Sequence, residues 1–152
     1  MITIIDITSE YCKKNNTCKG SIIFESGYDY DSHQDEIETA KWLVSNFGGD
    51  IILLKESNKQ REEKPDYLWK NKFWERKGIN SSKHNTIDSR IRKAYSQIYD
   101  KRGGILLDFS QSVLKLEQAV KEVKNSVEKR AKGNADIIIK KNNSFIVLKV
   151  TK

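Results

Sequence analysis

Residues 65–77 read PDYLWKNKFWERK, from Pro65 to Lys77. Two short strand patterns, 66–69 and 72–77, flank Lys70-Asn71, and asparagine suits the positive backbone dihedral of a two-residue hairpin turn. With Lys70 and Asn71 as the whole loop, Trp69 pairs with Lys72 and Leu68 with Phe73. Continued outward, the same register sets Asp66 opposite Glu75. Alternation places Phe73, Glu75 and Lys77 on one face of the hairpin and Trp74 and Arg76 on the other. Two carboxylates directly across a ladder repel each other. A divalent cation between them, with the Lys77 ammonium alongside, offsets that repulsion, so the stretch carries both a sheet register and a candidate metal site.

Upstream, the unbroken apolar run within 50–56 predicts a central strand, and 57–64 is a charged loop leading into the hairpin. Before it, residues 34–47 predict a helix that Asp31 or Ser32 caps and Gly48-Gly49 ends. Ile37, Ala40, Leu43, Val44 and Phe47 form its apolar stripe. Glu36 lies on the edge of that stripe, while Glu38 points almost the opposite way, into solvent. Glu36 has two readings: a first-turn partner of the helix dipole, or a carboxylate reaching across the sheet to the metal site.

Downstream, 78–85 is a polar loop that holds Lys83 and His84, placed to contact substrate. Thr86 caps a helix from 87 to 101, with Ile87, Ile91, Ala94 and Ile98 turned to the sheet. Arg90, Lys93, Gln97 and Lys101 share one flank, which suits phosphate contacts, and Gln97 lies nearest the core. A strand at 105–109, a long helix at 112–132 and a hairpin of 136–140 with 144–150 around Asn142-Asn143 follow. At the other end, 2–7 and 21–26 read as an accessory hairpin within residues 1–30, its loop carrying Cys12 and Cys18. Helices interleaved with a mixed sheet make the fold α/β, in one domain over 1–152 with its core at 33–150.

The composition fits an enzyme-sized core and an anionic partner. Three Trp, six Tyr and five Phe exclude a disordered chain. A formal charge of +7 and a pI near 9.3 fit a partner carrying phosphate, usually nucleic acid, or else a lysine-rich solvated surface. No apolar run approaches the roughly 20 residues of a membrane span, and no signal peptide is visible, so no membrane partner is expected. Two cysteines without a matching second pair make neither a disulfide framework nor a zinc site. Free thiols in a reducing compartment are expected.

Pro65-Asp66 followed by Glu75-Arg76-Lys77 is similar to the PD-(D/E)xK signature of the restriction-endonuclease-like nucleases. From His33 to Val150 the chain resembles the C-terminal tRNase domain of contact-dependent growth inhibition toxins and related proteins of bacterial mobile elements. The residues that carry this are His33 to Ala40 (HQDEIETA), Gly48-Gly49-Asp50-Ile51, Pro65-Asp66, Trp74 to Lys77, and Ile91, Ala94 and Gln97. The resemblance implies a restriction-endonuclease-like mixed β-sheet flanked by helices. It implies that Asp66, Glu75 and Glu36 bind Mg²⁺ (or Mn²⁺ or Zn²⁺), that Lys77 acts at the nucleophile, and that Gln97 completes the site. It also implies a cytoplasmic site of action, delivery into a target cell and a cognate immunity protein. Arg76 departs from the small or apolar residue usual between the Glu and the Lys, and puts a charge in the layer between sheet and helix.

Three functions follow from these readings. The first is a metal-dependent RNA endonuclease, tRNA favoured, in which the cation activates water and stabilises charge on phosphorus oxygens. The second is a DNA endonuclease with the same site, because the motif does not read the sugar. The third is a catalytically inactive nucleic-acid-binding protein of a mobile element. A metal-free RNase needs a His or Glu base among basic residues without this acidic pairing, and would survive EDTA.

Overall fold

Lys70 and Asn71 both adopt left-handed backbone, with φ of 52° and 61°, and the turn between them sets the centre of the sheet as its sequence predicts. The computed structural model describes residues 1–12, 19–56, 64–98 and 103–152. Cys18, Lys101 and the expected loop over 57–63 lie outside the described residues. The described elements run β1 (Thr3–Asp6), α1 (Thr8–Cys12), β2 (Ile22–Phe24), α2 (Gln34–Phe47), β3 (Ile51–Leu53), β4 (Tyr67–Trp69), β5 (Lys72–Gly78), α3 (His84–Ile98), β6 (Gly103–Asp108), α4 (Leu116–Arg130), β7 (Ala135–Lys141) and β8 (Ser144–Thr151).

The strands form one mixed sheet in the order β1-β8-β7-β6-β5-β4-β3-β2. β4 and β8 run against the other six. Helices cover both faces. Ile105, Leu107, Ile137 and Ile139 pack under α3 and α4, and Leu106, Ile138, Trp69 and Trp74 pack under α2. The molecule is therefore an α/β fold built on an eight-stranded mixed sheet flanked by helices. At Gly104 a Cβ would stand 2.3 Å from the Trp74 ring, so glycine lets that indole lie flat across β6. No helix among the described residues is long and apolar enough to cross a membrane.

Four sequence expectations are corrected. Residues 2–7 and 21–26 do not form a hairpin: β1 pairs with β8 at one edge of the sheet and β2 with β3 at the other. The Asp6 carboxylate accepts hydrogen bonds from the Thr8 N–H (2.9 Å) and hydroxyl (2.6 Å). That ends the first strand and starts α1, which carries the chain over the sheet instead of back along it. Neither Asp31 nor Ser32 caps α2. Its N-cap is His33, without a side-chain cap, and the Asp29 carboxylate takes up the N–H groups of Asp31 and Ser32. Thr86 does not cap α3, which begins two residues earlier at His84. Finally, α4 starts at Leu116 instead of Ser112, because the Ser112 hydroxyl is engaged by the Leu114 N–H in a turn ahead of the helix.

Candidate active site

β4 begins only at Tyr67, opposite Trp74, whereas β5 runs on to Gly78 paired with β6 alone. The hairpin therefore opens at Glu75, and the edge of β5 there has no ladder partner from β4. Asp66 occupies that mouth. Its N–H bonds the Trp74 carbonyl at 2.9 Å, and its carboxylate accepts the Arg76 N–H at 2.8 Å, replacing the carbonyl a longer β4 would have offered. The ladder itself stops at Tyr67 and Trp74, and Asp66 then lies close enough to Glu75 for the two carboxyls to interact.

Glu75 is 2% exposed. One of its oxygens, Oε2, takes the Lys77 ammonium at 2.9 Å. The other, Oε1, is buried and receives no N–H donor among the described residues; the group beside it is the Asp66 carboxyl, whose proton, when present, is the hydrogen bond open to it. A buried carboxylate oxygen left unpaired costs a few kcal/mol. Burial raises the Glu75 carboxyl above its ordinary value, and Lys77 only partly opposes this. Asp66 is pushed up to about 7, by burial first and then by the Glu75 charge.

Glu36 arrives from the first turn of α2, in the opposite helical layer, and adjoins Asp66. The Tyr28 hydroxyl donates to its Oε2 at 2.8 Å, and His33 Nδ1 stands 3.7 Å from its Oε1. The Tyr67 hydroxyl donates to its backbone carbonyl at 2.7 Å, fixing the helix start over the hairpin mouth. Burial, then the Asp66 charge, raise the Glu36 carboxyl to about 7. Glu38 by contrast is exposed, with Lys41 at 3.4 Å.

The three carboxyls form a row from Glu36 through Asp66 to Glu75. No three His, Cys, Asp or Glu side chains among the described residues already converge as a metal cage. The donor set nonetheless fits a hard divalent cation, which takes carboxylate oxygens. The Glu75 oxygen without an N–H donor and the raised Asp66 and Glu36 carboxyls are what such a charge would relieve. Asp66 and Glu75 are the pair that would hold it, with Glu36 in support through Asp66. Glu36→Gln should accordingly weaken metal-dependent cleavage by about tenfold, as loss of a supporting carboxylate does; unchanged single-turnover rates would remove Glu36 from the site.

Arg76 points to the other face, as expected. Its Nε donates to the Thr39 hydroxyl at 2.8 Å and its guanidinium pairs with Asp108 at 3.2 Å, so the charge between sheet and α2 is compensated. Gln97 is half-buried on the last turn of α3. Lys83, Arg90 and Lys93 are exposed on or just before α3. His84 is exposed too, and its Nδ1 contacts the Glu122 carboxylate at 3.0 Å, which ties α3 to α4. Tyr28 and Tyr67 escaped sequence reading. Tyr28 sits in an aperiodic turn, and Tyr67 reads simply as an inward strand residue.

No family model matches the chain. Over 87 residues it is 36% identical to a Methanocaldococcus jannaschii protein named probable threonylcarbamoyladenosine tRNA methylthiotransferase. That match takes in 49% of this chain, and the chain spans only 20% of that protein's length. The fold is similar to a chain of the CdiA-CT/CdiI toxin and immunity complex from Burkholderia pseudomallei. The TM-score is 0.56 over 86% of this chain and 99% of that one, at 16% sequence identity. At that identity the likeness is one of fold.

Proposed function

We propose that this chain is a divalent-metal-dependent endonuclease of the PD-(D/E)xK kind, with the restriction-endonuclease-like fold, that cuts RNA and favours tRNA. The observation that carries this reading is the buried Glu75 carboxylate, with one oxygen on Lys77 and the other without an N–H donor, beside a second buried acid across the hairpin mouth. In this reading Asp66 and Glu75 bind Mg²⁺ or Mn²⁺, and Glu36 and Tyr28 orient Asp66 from the α2 side.

A cation held by Asp66 and Glu75 would supply the charge that lowers the pKa of a water and offsets charge on the phosphoryl oxygens. The Lys77 ammonium, 15% exposed beside Glu75, donates a hydrogen bond to the entering water or to a phosphoryl oxygen. Water oxygen bonds to phosphorus as the P–O ester bond opposite it breaks; one water proton passes to solvent, and the leaving oxygen takes up a proton from solvent. Arg76 lies on the α2 side, paired with Thr39 and Asp108, and is assigned no step.

The likeness to a toxin and immunity complex supports a toxin role, acting in the cytoplasm after delivery and met by an immunity protein. A catalytic-looking carboxylate row is more useful to the toxin than to its inhibitor. The tRNA in the name of the archaeal relative, and the net charge of +7, agree with an RNA substrate. The test is incubation with total RNA and with plasmid DNA, each with Mg²⁺ or EDTA. RNA fragments with Mg²⁺ alone support the proposal; DNA cut in preference moves it to the DNA reading, and cleavage that persists in EDTA ends it.

Substrate binding rests on exposed cations at α3. Arg90→Ala and Lys93→Ala should each lower the salt slope of RNA binding by about one, since each releases one counterion fewer, while cleavage of saturated substrate changes less. Salt titrations that superimpose on wild type would place the groove elsewhere.

A further inference from the structure

Four aromatic side chains gather where the chain turns from β2 into α2. Phe24 and Tyr30 lie with ring centroids 4.7 Å apart, Phe24 and Tyr28 5.3 Å, and Tyr28 and Tyr30 5.7 Å. His33 adds a ring 5.7 Å from Tyr28. Tyr28 is buried, but Tyr30 is 53% exposed, so the cluster ends in an open aromatic face. That face is held in place. Gln34 Nε2 donates to the Tyr30 carbonyl at 2.7 Å, and the Asp29 carboxylate receives the N–H groups of the next two residues. Tyr28, behind it, donates its hydroxyl to Glu36, so the platform and the carboxylate row share one residue.

The surroundings say what such a platform takes. Asp31 and Asp35 are exposed in the same segment and share a cleft with Arg76, while Lys64 is paired with Glu25 at its other side, so the charges around the ring are mixed. What Tyr30 offers is a rigid π-face with carboxylate acceptors in its own segment, which matches the face and the N–H edges of a nucleobase.

We infer that Tyr30, backed by Phe24 and Tyr28, is a stacking platform for an unpaired base next to the phosphate held at the carboxylates. The inference rests on the nuclease reading and narrows its substrate to single-stranded or loop RNA. A base inside an A-form helix has both faces covered and cannot reach an open ring.

The experiment uses the Glu75→Gln chain, so that substrate survives, and an oligoribonucleotide carrying 2-aminopurine, free or annealed to its complement. Binding of the single strand should quench the fluorescence. Adding Tyr30→Ala should weaken single-strand binding about tenfold, the scale of one stacked base, and abolish the quench. Tyr30→Trp should restore both, and duplex binding should not respond to either change. Equal single-strand affinity and quench with and without the Tyr30 ring, or equal loss for duplex and single strand, overturns the platform. Cleavage by the parent chain is read separately. If it cuts no nucleic acid the nuclease reading fails, while the fluorescence still decides whether Tyr30 stacks a base.

Discussion

Asp66→Asn should slow cleavage roughly a thousandfold, because a metal site supplies several kcal/mol of transition-state stabilisation, and yet make the metal-free protein more stable at pH 8. The second half follows from the raised carboxyl. Asp66 is held up to about 7 in the fold, by burial and then by the Glu75 charge, against an ordinary value of 3.8. A carboxyl raised on folding binds its proton more tightly in the native state. Its stabilising share is complete below about pH 4 and is lost as pH rises through about 7. At pH 8 the wild type carries the ionised group at a cost of about 2–4 kcal/mol. Asparagine removes that cost and keeps an oxygen for the Arg76 N–H. Melting in EDTA at pH 5 and pH 8 checks it: wild type should lose stability over that interval, and the variant much less. An Asp66→Asn protein that melts lower than wild type at pH 8 would show that the acid is a structural partner.

Lys77→Met moves both quantities in the same direction. The Lys77 ammonium and the Glu75 carboxylate, 2.9 Å apart and 15% and 3% exposed, form a buried pair. Removing one partner leaves a buried charge, at a typical cost of 3–5 kcal/mol. Cleavage should fall below detection, since the group that steadies the water is gone. The double change Lys77→Met with Glu75→Gln should regain most of the lost stability, because no charge is then stranded, and regain no activity. Denaturant unfolding of the three variants separates the cases; a single variant as stable as wild type would mean that the pair is solvated.

Much of this arrangement was legible because it depends on local chemistry. Asn71 and a two-residue loop fixed the register that brings Asp66 to Glu75, and the 3.6-residue stripe on α2 separated Glu36 from Glu38. What stayed hidden depends on tertiary context. Two apolar runs at 2–7 and 21–26 look like natural neighbours, yet the Asp6–Thr8 cap diverts the chain and sends them to opposite edges of the sheet. Tyr28 and Tyr30 belong to a turn without periodicity, so no pattern marked them as part of the site.

Calorimetric titration of the metal-free protein with Mn²⁺ at pH 6.5, repeated in buffers of different ionisation enthalpy, bears most directly on the claim that Asp66 and Glu75 hold a divalent cation. At that pH the Asp66 and Glu36 carboxyls, raised to about 7, are largely protonated and must release protons as the cation binds. Saturable binding by wild type with about one proton released, and none detectable by Asp66→Asn, is the predicted result. Wild type that takes up no Mn²⁺ at millimolar concentration, or an Asp66→Asn protein that binds it equally well, would contradict it.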